Sequence, residues 1–566
     1  MDSQNVWDAT LRSFRSAMVD RGRQPAHDPA GSSLWLLIVL AFGVFIAADD
    51  LTVVSTMLPR MIVDFEIPIP SGLKDASWIV SAYLIAYVVA MPLFGRLSDR
   101  YERLRVYTLC MVLFLAGSVL VLLARDLPLL IAARALQAFG GGGVVPIAMA
   151  TVGDRFPEGR RGSAIGVLAA VDTMGWIWGP LYGSLLIRYG PEAGRWAVET
   201  LGTPSGMAAW SWQWQFVLNI PLALLAIAMA IMLHRAFAPS DHEAPRMDWA
   251  GAVWLSGSLV ALHLGIIESG GSMDMGSTGW GASEESRPLA GWPWLVIGGL
   301  ALAILAIVEN RRPAPLIPAG LFRRRNFALA GAINFLAGVG LITPMVQVPL
   351  FMNTLRSWGE TPEAWMGHAA ILSGRVLTGL TLAMAMGSLM GGWGSGRIGY
   401  RGPAVLGILL AVLGLFGASR WGIEEPVAAM ALQMALVGLG LGAVTAAIGT
   451  AGLDAAPPDG RGIASGLLLI LRLIGMSTGL AGITTWGTSR FQTLVAAYPL
   501  ETLPSVLPGI TLTIIQETFR LAVLGIALAL PMAVFLGRKS PAQVGTLLTA
   551  PLTPEDIPHS ANGGEP

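Results

Sequence analysis

The chain is 566 residues long, with 36 basic and 36 acidic residues and a formal net charge of zero. Only 13% of it is charged and 54% is hydrophobic, against about 25% charged in soluble domains. This composition excludes a soluble globular protein and leaves an integral membrane protein in which most residues face lipid or other apolar helices.

Residues 1–33 are polar and run into an apolar stretch as long as a full span, so no cleavable signal peptide is expected. Within this leader Trp7, Leu11, Phe14 and Met18 recur at helical spacing, with Asp8, Arg12 and Arg15 between them. Two readings stay open: an amphipathic helix on the cytoplasmic membrane surface, or a disordered tail.

Apolar runs of about 20 residues, the length that crosses a bilayer, fall at 34–58, 77–98, 105–124, 127–151, 162–187, 214–233, 248–268, 290–309, 327–352, 369–395, 403–421, 427–452, 461–487 and 517–537. The expected fold is therefore all-α and integral to the membrane, with fourteen transmembrane helices. Taken alternately, most basic residues collect on the side that carries Arg96, Arg100, Arg103 and Arg105. By the bias of Arg toward the inner face, that side and both termini are expected to be cytoplasmic, in a multi-pass protein of the cell membrane. Residues 538–566 are Pro-rich and polar, as a disordered cytoplasmic tail would be. The single Cys110 lies in an apolar run, which excludes an intrachain disulfide and a Cys-based metal cluster.

The turn after span 2 reads Gly95-Arg96-Leu97-Ser98-Asp99-Arg100-Tyr101-Glu102-Arg103-Leu104-Arg105. Asp99 is expected to accept from an Arg or to cap the following helix. After span 10, Gly392-Trp393-Gly394-Ser395-Gly396-Arg397-Ile398-Gly399-Tyr400-Arg401 lines up with it, with Gly396 in the place of Asp99. The repeat predicts two six-helix bundles, residues 34–233 and 327–537, separated by a two-helix insert and linker at 234–326.

Charges inside the spans mark chemistry, because an ionised group at membrane depth is costly unless paired. Span 1 holds Asp49 and Asp50, which diverge by about 100° on a helix. Arg134 in span 4 shares the depth of Asp50 and favours its deprotonated form. Asp172 in span 5 and Arg472 in span 13 sit at equal depth in opposite bundles, which suggests a pair made in one access state only. Also in span 5, Gly175-x-x-x-Gly179-Pro180-x-x-Gly183 forms a flat, bendable stripe, read as a contact face between bundles. Trp212-Gln213-Trp214-Gln215-Phe216-Val217-Leu218-Asn219-Ile220-Pro221, taken as physics alone, is an interfacial aromatic belt.

Several of these runs resemble a known family. The 95–105 turn is similar to the loop signature of the major facilitator superfamily, although Glu102 replaces a Gly. Asp50-Leu51-Thr52-Val53-Val54, Arg134-Ala135-Leu136-Gln137-Ala138-Phe139-Gly140 and the Trp212–Pro221 run resemble its fourteen-span drug:proton antiporters. The Gly175–Gly183 stripe resembles the superfamily's antiporter motif. Asp49 stands at a position that is usually apolar in that family. Trp78-Ile79-Val80-Ser81-Ala82-Tyr83-Leu84, Gly179-Pro180-Leu181-Tyr182-Gly183 and Arg472-Leu473-Ile474-Gly475-Met476 resemble its mycobacterial triacylglyceride-exporting branch, which works with a periplasmic lipoprotein.

The resemblance implies a major facilitator fold and a proton-coupled exporter of hydrophobic or amphipathic substrates, lipids such as triacylglycerides first among them. A multidrug antiporter of the same fold is the alternative, and a non-transporting sensor or scaffold is a weaker one. Asp50, Arg134, Asp172 and Arg472 would couple protons; Gly95, Asp99, Arg100 and Arg103 would form the cytoplasmic gate. The partners implied are membrane lipids, the hydrophobic substrate, protons and an extracytoplasmic lipoprotein. No nucleophile triad, metal cluster or phosphate loop points to an enzyme, and no cofactor or nucleic acid is implied.

Overall fold

A computed structural model describes residues 30–68, 73–234, 248–268, 291–309, 319–356, 362–499 and 502–537. The Trp7–Met18 periodicity and the Pro-rich tail lie outside them. A bilayer offers no partner for backbone N–H and C=O groups, so each apolar run closes its hydrogen bonds within itself. The described residues accordingly form long helices: α1 (Ala30–Asp64), α2 (Leu73–Arg100), α3 (Arg103–Leu123), α4 (Leu127–Arg155), α5 (Glu158–Leu201), α6 (Gln213–His234), α7 (Trp249–Glu268), α8 (Trp292–Glu309), α9 (Arg325–Phe351), α10 (Pro362–Ile398), α11 (Arg401–Ala418), α12 (Val427–Ala455), α13 (Arg461–Val495) and α14 (Leu503–Ala527).

By length and composition, 11 described helices are apolar enough to cross a membrane. The others are α5, with Asp172 and several glycines, and α7 and α8, whose apolar stretches are the shorter Ala250–Gly265 and Trp292–Leu305. Length and composition therefore support eleven of the fourteen expected spans.

Local chemistry sets several helix ends. The Asp126 carboxylate accepts the Leu129 N–H at 2.8 Å at the start of α4, beside Pro128. Pro157 and Pro426 stand at the N-caps of α5 and α12. Gly202 closes α5 at φ 65°, where a side chain would be strained. Between α10 and α11 Gly399 turns at φ 84°, whereas the aligned Glu102 turns at φ −61°. The first turn needs no left-handed residue, so Glu102 is accommodated there without strain.

Helix α5 continues past the expected end near residue 187 to Leu201. At 1.5 Å per residue its 44 residues span about 66 Å, roughly twice the hydrocarbon core. Apolar content located the span but not this extension, which is held by packing: Gly190 and Gly194 approach Ser211 and Met207 in the chain that returns to α6. Helix α14 likewise begins at Leu503, well before 517.

The first bundle packs α1 on α5, and α4 on α2 and α3; the second packs α9 on α13, and α12 on α10 and α11. The α7–α8 hairpin rests α7 on α2. Between bundles, α5 packs along α10 and α2 along α13. Equivalent residues of α4–α5 and α12–α13 stand 300 positions apart, as with Asp172 and Arg472.

Candidate functional site

Three clusters of buried charge run from the bundle interior to the Arg-rich end, here called the basic end.

The first lies inside the first bundle. Asp50 is fully buried and Arg134 is 1% exposed. Arg134 Nη1 donates to Asp50 Oδ2 at 2.6 Å and to Gln137 Oε1 at 2.6 Å. Gln137 Nε2 and Asn219 Nδ2 donate to Asp50 Oδ1 at 3.0 and 2.9 Å, and Gln137 also reaches Ser118. The Tyr83 ring covers the guanidinium 4.1 Å from its centroid, with Phe216 at 5.6 Å. An ion pair in this setting repays its desolvation only when its remaining polar atoms are bonded; both Asp50 oxygens are, and Arg134 Nε is the one atom of the pair buried without a hydrogen-bond partner. Asp49, one residue back, points elsewhere and accepts from Gln215 Nε2 at 3.0 Å.

The second cluster crosses the bundles. Arg472 Nη2 of α13 donates to Asp172 Oδ2 of α5 at 3.0 Å, both residues being 6% exposed. This pair is sparsely bonded: Arg472 Nε is buried without a hydrogen-bond partner, and so is Nε1 of Trp176, whose ring lies 5.8 Å from the guanidinium.

The third cluster seals the basic end. The Asp99 carboxylate accepts the N–H groups of Gly462 and Ile463 at 2.7 and 3.0 Å, at the first turn of α13. It caps a helix of the opposite bundle, not α3 as the sequence suggested, because α2 and α13 run side by side here and the α13 N-terminus exposes free donors. Arg103 pairs with Asp99 at 3.1 Å and also with Asp154, which pairs with Arg461 at 2.9 Å. Gly95 permits this approach, since a Cβ there would stand 2.5 Å from the Gly462 carbonyl. Arg100, grouped with these residues from the sequence, lies instead over the Tyr101 ring at 5.4 Å.

On the other side of the same end, Asp454 pairs with Arg161 and accepts from the Tyr400 hydroxyl. Burial and the Asp454 charge push the Tyr400 phenol above its ordinary value, so it remains a donor. Arg324 adds a bond to the Ala455 carbonyl at 2.6 Å.

Two sequence readings need correction. The Gly175, Gly179 and Gly183 stripe faces α1 of its own bundle: Cβ atoms there would meet Ala48 and Asp49, Thr52 and Val53, and Thr56 and Val53. Small residues on α5 let two helices of one bundle close together, and Pro180 lies within that stripe. Trp212, read as part of an interfacial belt, is 3% exposed and donates to Asp64 at 2.8 Å, while Trp214 donates to the Gly190 carbonyl at 3.0 Å. These indoles pin the far ends of α1 and α5. Sequence reasoning passed over Gln215, Asp154, Arg161, Tyr400, Asp454 and Arg461. The signal was present in the repeat, where Asp154 and Arg161 recur as Asp454 and Arg461.

Two bundles in pseudo-symmetric register, with buried charges inside and a charged seal at one end, define a membrane transporter. A profile of the Major Facilitator Superfamily matches residues 40–480, and the chain belongs to that family. Among related proteins, a triacylglyceride transporter of Mycolicibacterium smegmatis is 30% identical over 491 residues, covering 84% of this chain and 78% of the relative. A triacylglyceride transporter of Mycobacterium tuberculosis is 30% identical over 474 residues, covering 81% of this chain and 83% of the relative. Two solved structures share the fold alone. A proton:xylose symporter bound to 6-bromo-6-deoxy-D-glucose has a TM-score of 0.51 at 13% identity, covering 89% of this chain and 96% of its own. A human organic anion transporter has a TM-score of 0.50 at 16% identity, covering 88% and 100%.

Proposed function

We propose that this transporter exports lipid substrates of the triacylglyceride class across the cell membrane, driven by inward proton movement, with the basic end and both termini in the cytoplasm. The observation that carries the reading is the Asp172–Arg472 pair, a buried ion pair whose two halves belong to different bundles. Such a pair must part when the bundles rock, and the freed carboxylate then becomes a proton acceptor.

The sealed basic end corresponds to the outward-facing state of that cycle. Gly95, Asp99 and Arg103 act as its latch, with Arg100 as a topogenic charge, and the Gly175–Gly179–Pro180–Gly183 stripe lets α5 move against α1. Asp50 and Arg134 form the fixed proton-coupling centre of the first bundle. Beside the inter-bundle pair, the unsatisfied groups Trp176 Nε1 and Arg472 Nε are both donors. They suit a ligand that offers acceptors alone, as an ester carbonyl does. The two relatives named for triacylglycerides support the same class. An extracytoplasmic lipoprotein would receive the exported lipid, which water will not hold.

The test is purified protein in liposomes with an imposed pH gradient and a panel of triacylglycerides and cationic dyes. Gradient-dependent triacylglyceride movement is the expected result. Movement of dyes alone would favour the multidrug reading, and lipid movement indifferent to the gradient would remove the proton coupling.

A further inference from the structure

Asp49 and Asp50 are neighbours in sequence and both are buried, at 6% and 0% exposure, yet their surroundings are opposite. Asp50 has a cation and two amide donors on its two oxygens. Asp49 has one amide. Its Oδ2 accepts from Gln215 Nε2 at 3.0 Å, and its Oδ1 is buried with no hydrogen-bond partner. On the same Gln215, Oε1 is also buried with no partner.

An ionised carboxylate offers only acceptors, and an amide oxygen is an acceptor as well, so neither orphan can satisfy the other. One proton on Asp49 Oδ1 changes this. The carboxylic acid then donates to Gln215 Oε1 while the amide donates back to Oδ2, the two-bond pairing of an acid with an amide. Both orphans are answered by one added proton.

The surrounding charges point the same way. On α1 the ionisable group that acts on Asp49 is Asp50, a like charge, and from α5 Tyr182 feels the Asp49 charge. Arg134 of α4 is committed to Asp50 and Gln137, and Tyr83 of α2 covers that guanidinium. On α6 the facing groups are the neutral Gln215 and Asn219. Gln215 Nε2 lies 3.4 Å from Asn219 Oδ1, and Asn219 donates to Asp50, so a chain of two amides joins the carboxyls. Ionising both would place two negative charges in one apolar site with one cation.

We propose that Asp49 is a second proton-binding site, protonated while the basic end is sealed and paired as an acid with Gln215. In the transport cycle the Oδ1–H bond breaks when the bundles rock, and the proton passes to water on the basic side. Each cycle then carries one proton more than the coupling groups named above would carry without Asp49. This last step rests on the proton-driven reading above; the protonation of Asp49 does not.

Infrared spectroscopy of the purified full chain reads the first claim directly. A protonated carboxylic acid gives a C=O stretch that carboxylates lack. The band is expected in the wild type, lost in Asp49→Asn and kept in Asp50→Asn. Gln215→Met keeps the acid but removes its partner, so the band should move to higher frequency; this variant also decides the case if Asp49→Asn does not fold. A band that survives Asp49→Asn, or that ignores Gln215→Met, overturns the assignment.

The second claim is read in liposomes. Asp49→Asn should still export, with a limiting substrate gradient about tenfold lower per pH unit imposed. An unchanged limit overturns the extra proton. A wild type that builds no gradient at all overturns the proton-driven reading, and the infrared band then decides the protonation of Asp49 by itself.

Discussion

Where α4 of the first bundle carries Arg134 and Gln137, the positions 300 residues on in α12 hold Met434 and Val437, and all four are buried. The backbone around them repeats: Gly140 and Gly142 recur as Gly440 and Gly442, each against a neighbouring helix. The basic end shows the same contrast. Asp154 is held by Arg103 and Arg461, and Asp454 by Tyr400 and Arg161, so a phenol takes the place of a guanidinium. Asp99 caps α13, but its counterpart Gly396 brings only backbone to α5, where a Cβ would stand 2.8 Å from the Gly159 carbonyl. One scaffold is therefore built twice, with charge invested mainly in the first copy. The second copy contributes Arg472, at the position that corresponds to Asp172, and the two meet across the pseudo-symmetry axis.

The strongest way to break this contrast is to make the first bundle like the second. Arg134→Met leaves Asp50 buried without its cation, at a cost of about 3–5 kcal/mol. Thermal unfolding in detergent should fall sharply and transport should vanish. Adding Asp50→Asn to Arg134→Met should restore most of the stability and none of the transport, which separates folding from coupling.

Next in size is the inter-bundle pair. Asp172→Asn or Arg472→Gln should each shift the equilibrium between access states by about 2–3 kcal/mol, the scale of hydrogen bonds to charged groups. The exchange Asp172→Arg with Arg472→Asp should recover part of the activity, because the two positions are equivalent in the repeat. A double-mutant cycle on transport rate measures the coupling, and strict additivity without rescue would show two independent residues.

Asp99→Asn removes the charge and one of two acceptors at the α13 N-terminus, worth about 1–1.5 kcal/mol. Cysteine labelling of the basic-end mouth in a Cys110→Ala background should rise; unchanged labelling would assign the turn a topogenic role alone. The smallest effect is expected for Tyr400→Phe, at about 0.5–1 kcal/mol, because Arg161 still pairs with Asp454. If the halves differ as described, Arg103→Met should open the mouth more than Tyr400→Phe does.

Much of this was legible in the chain itself. Hydrophobic length placed the helices, since a membrane leaves the backbone no other closure. The recurrence of the Gly95–Arg105 run near Gly392 pointed to duplication. Asp50, Arg134, Asp172 and Arg472 stood out because ionised groups are rare at membrane depth, and one helical rise per residue set their depths. Helix ends were less legible: α5 reaches Leu201 because packing on Met207 and Ser211 holds it, not because apolar residues continue.

Direction around a helix was the other part that sequence left open, because depth says which residues share a layer but not which face they share. Only the packed structure decided that the Gly175–Gly183 stripe faces α1, that Asp99 reaches α13, and that Trp212 is buried at the end of α1. The same reason separates Asp49 from Asp50. About 100° of rotation between neighbours gives one a guanidinium and the other an amide, and that difference exists only once α4 and α6 have closed around α1.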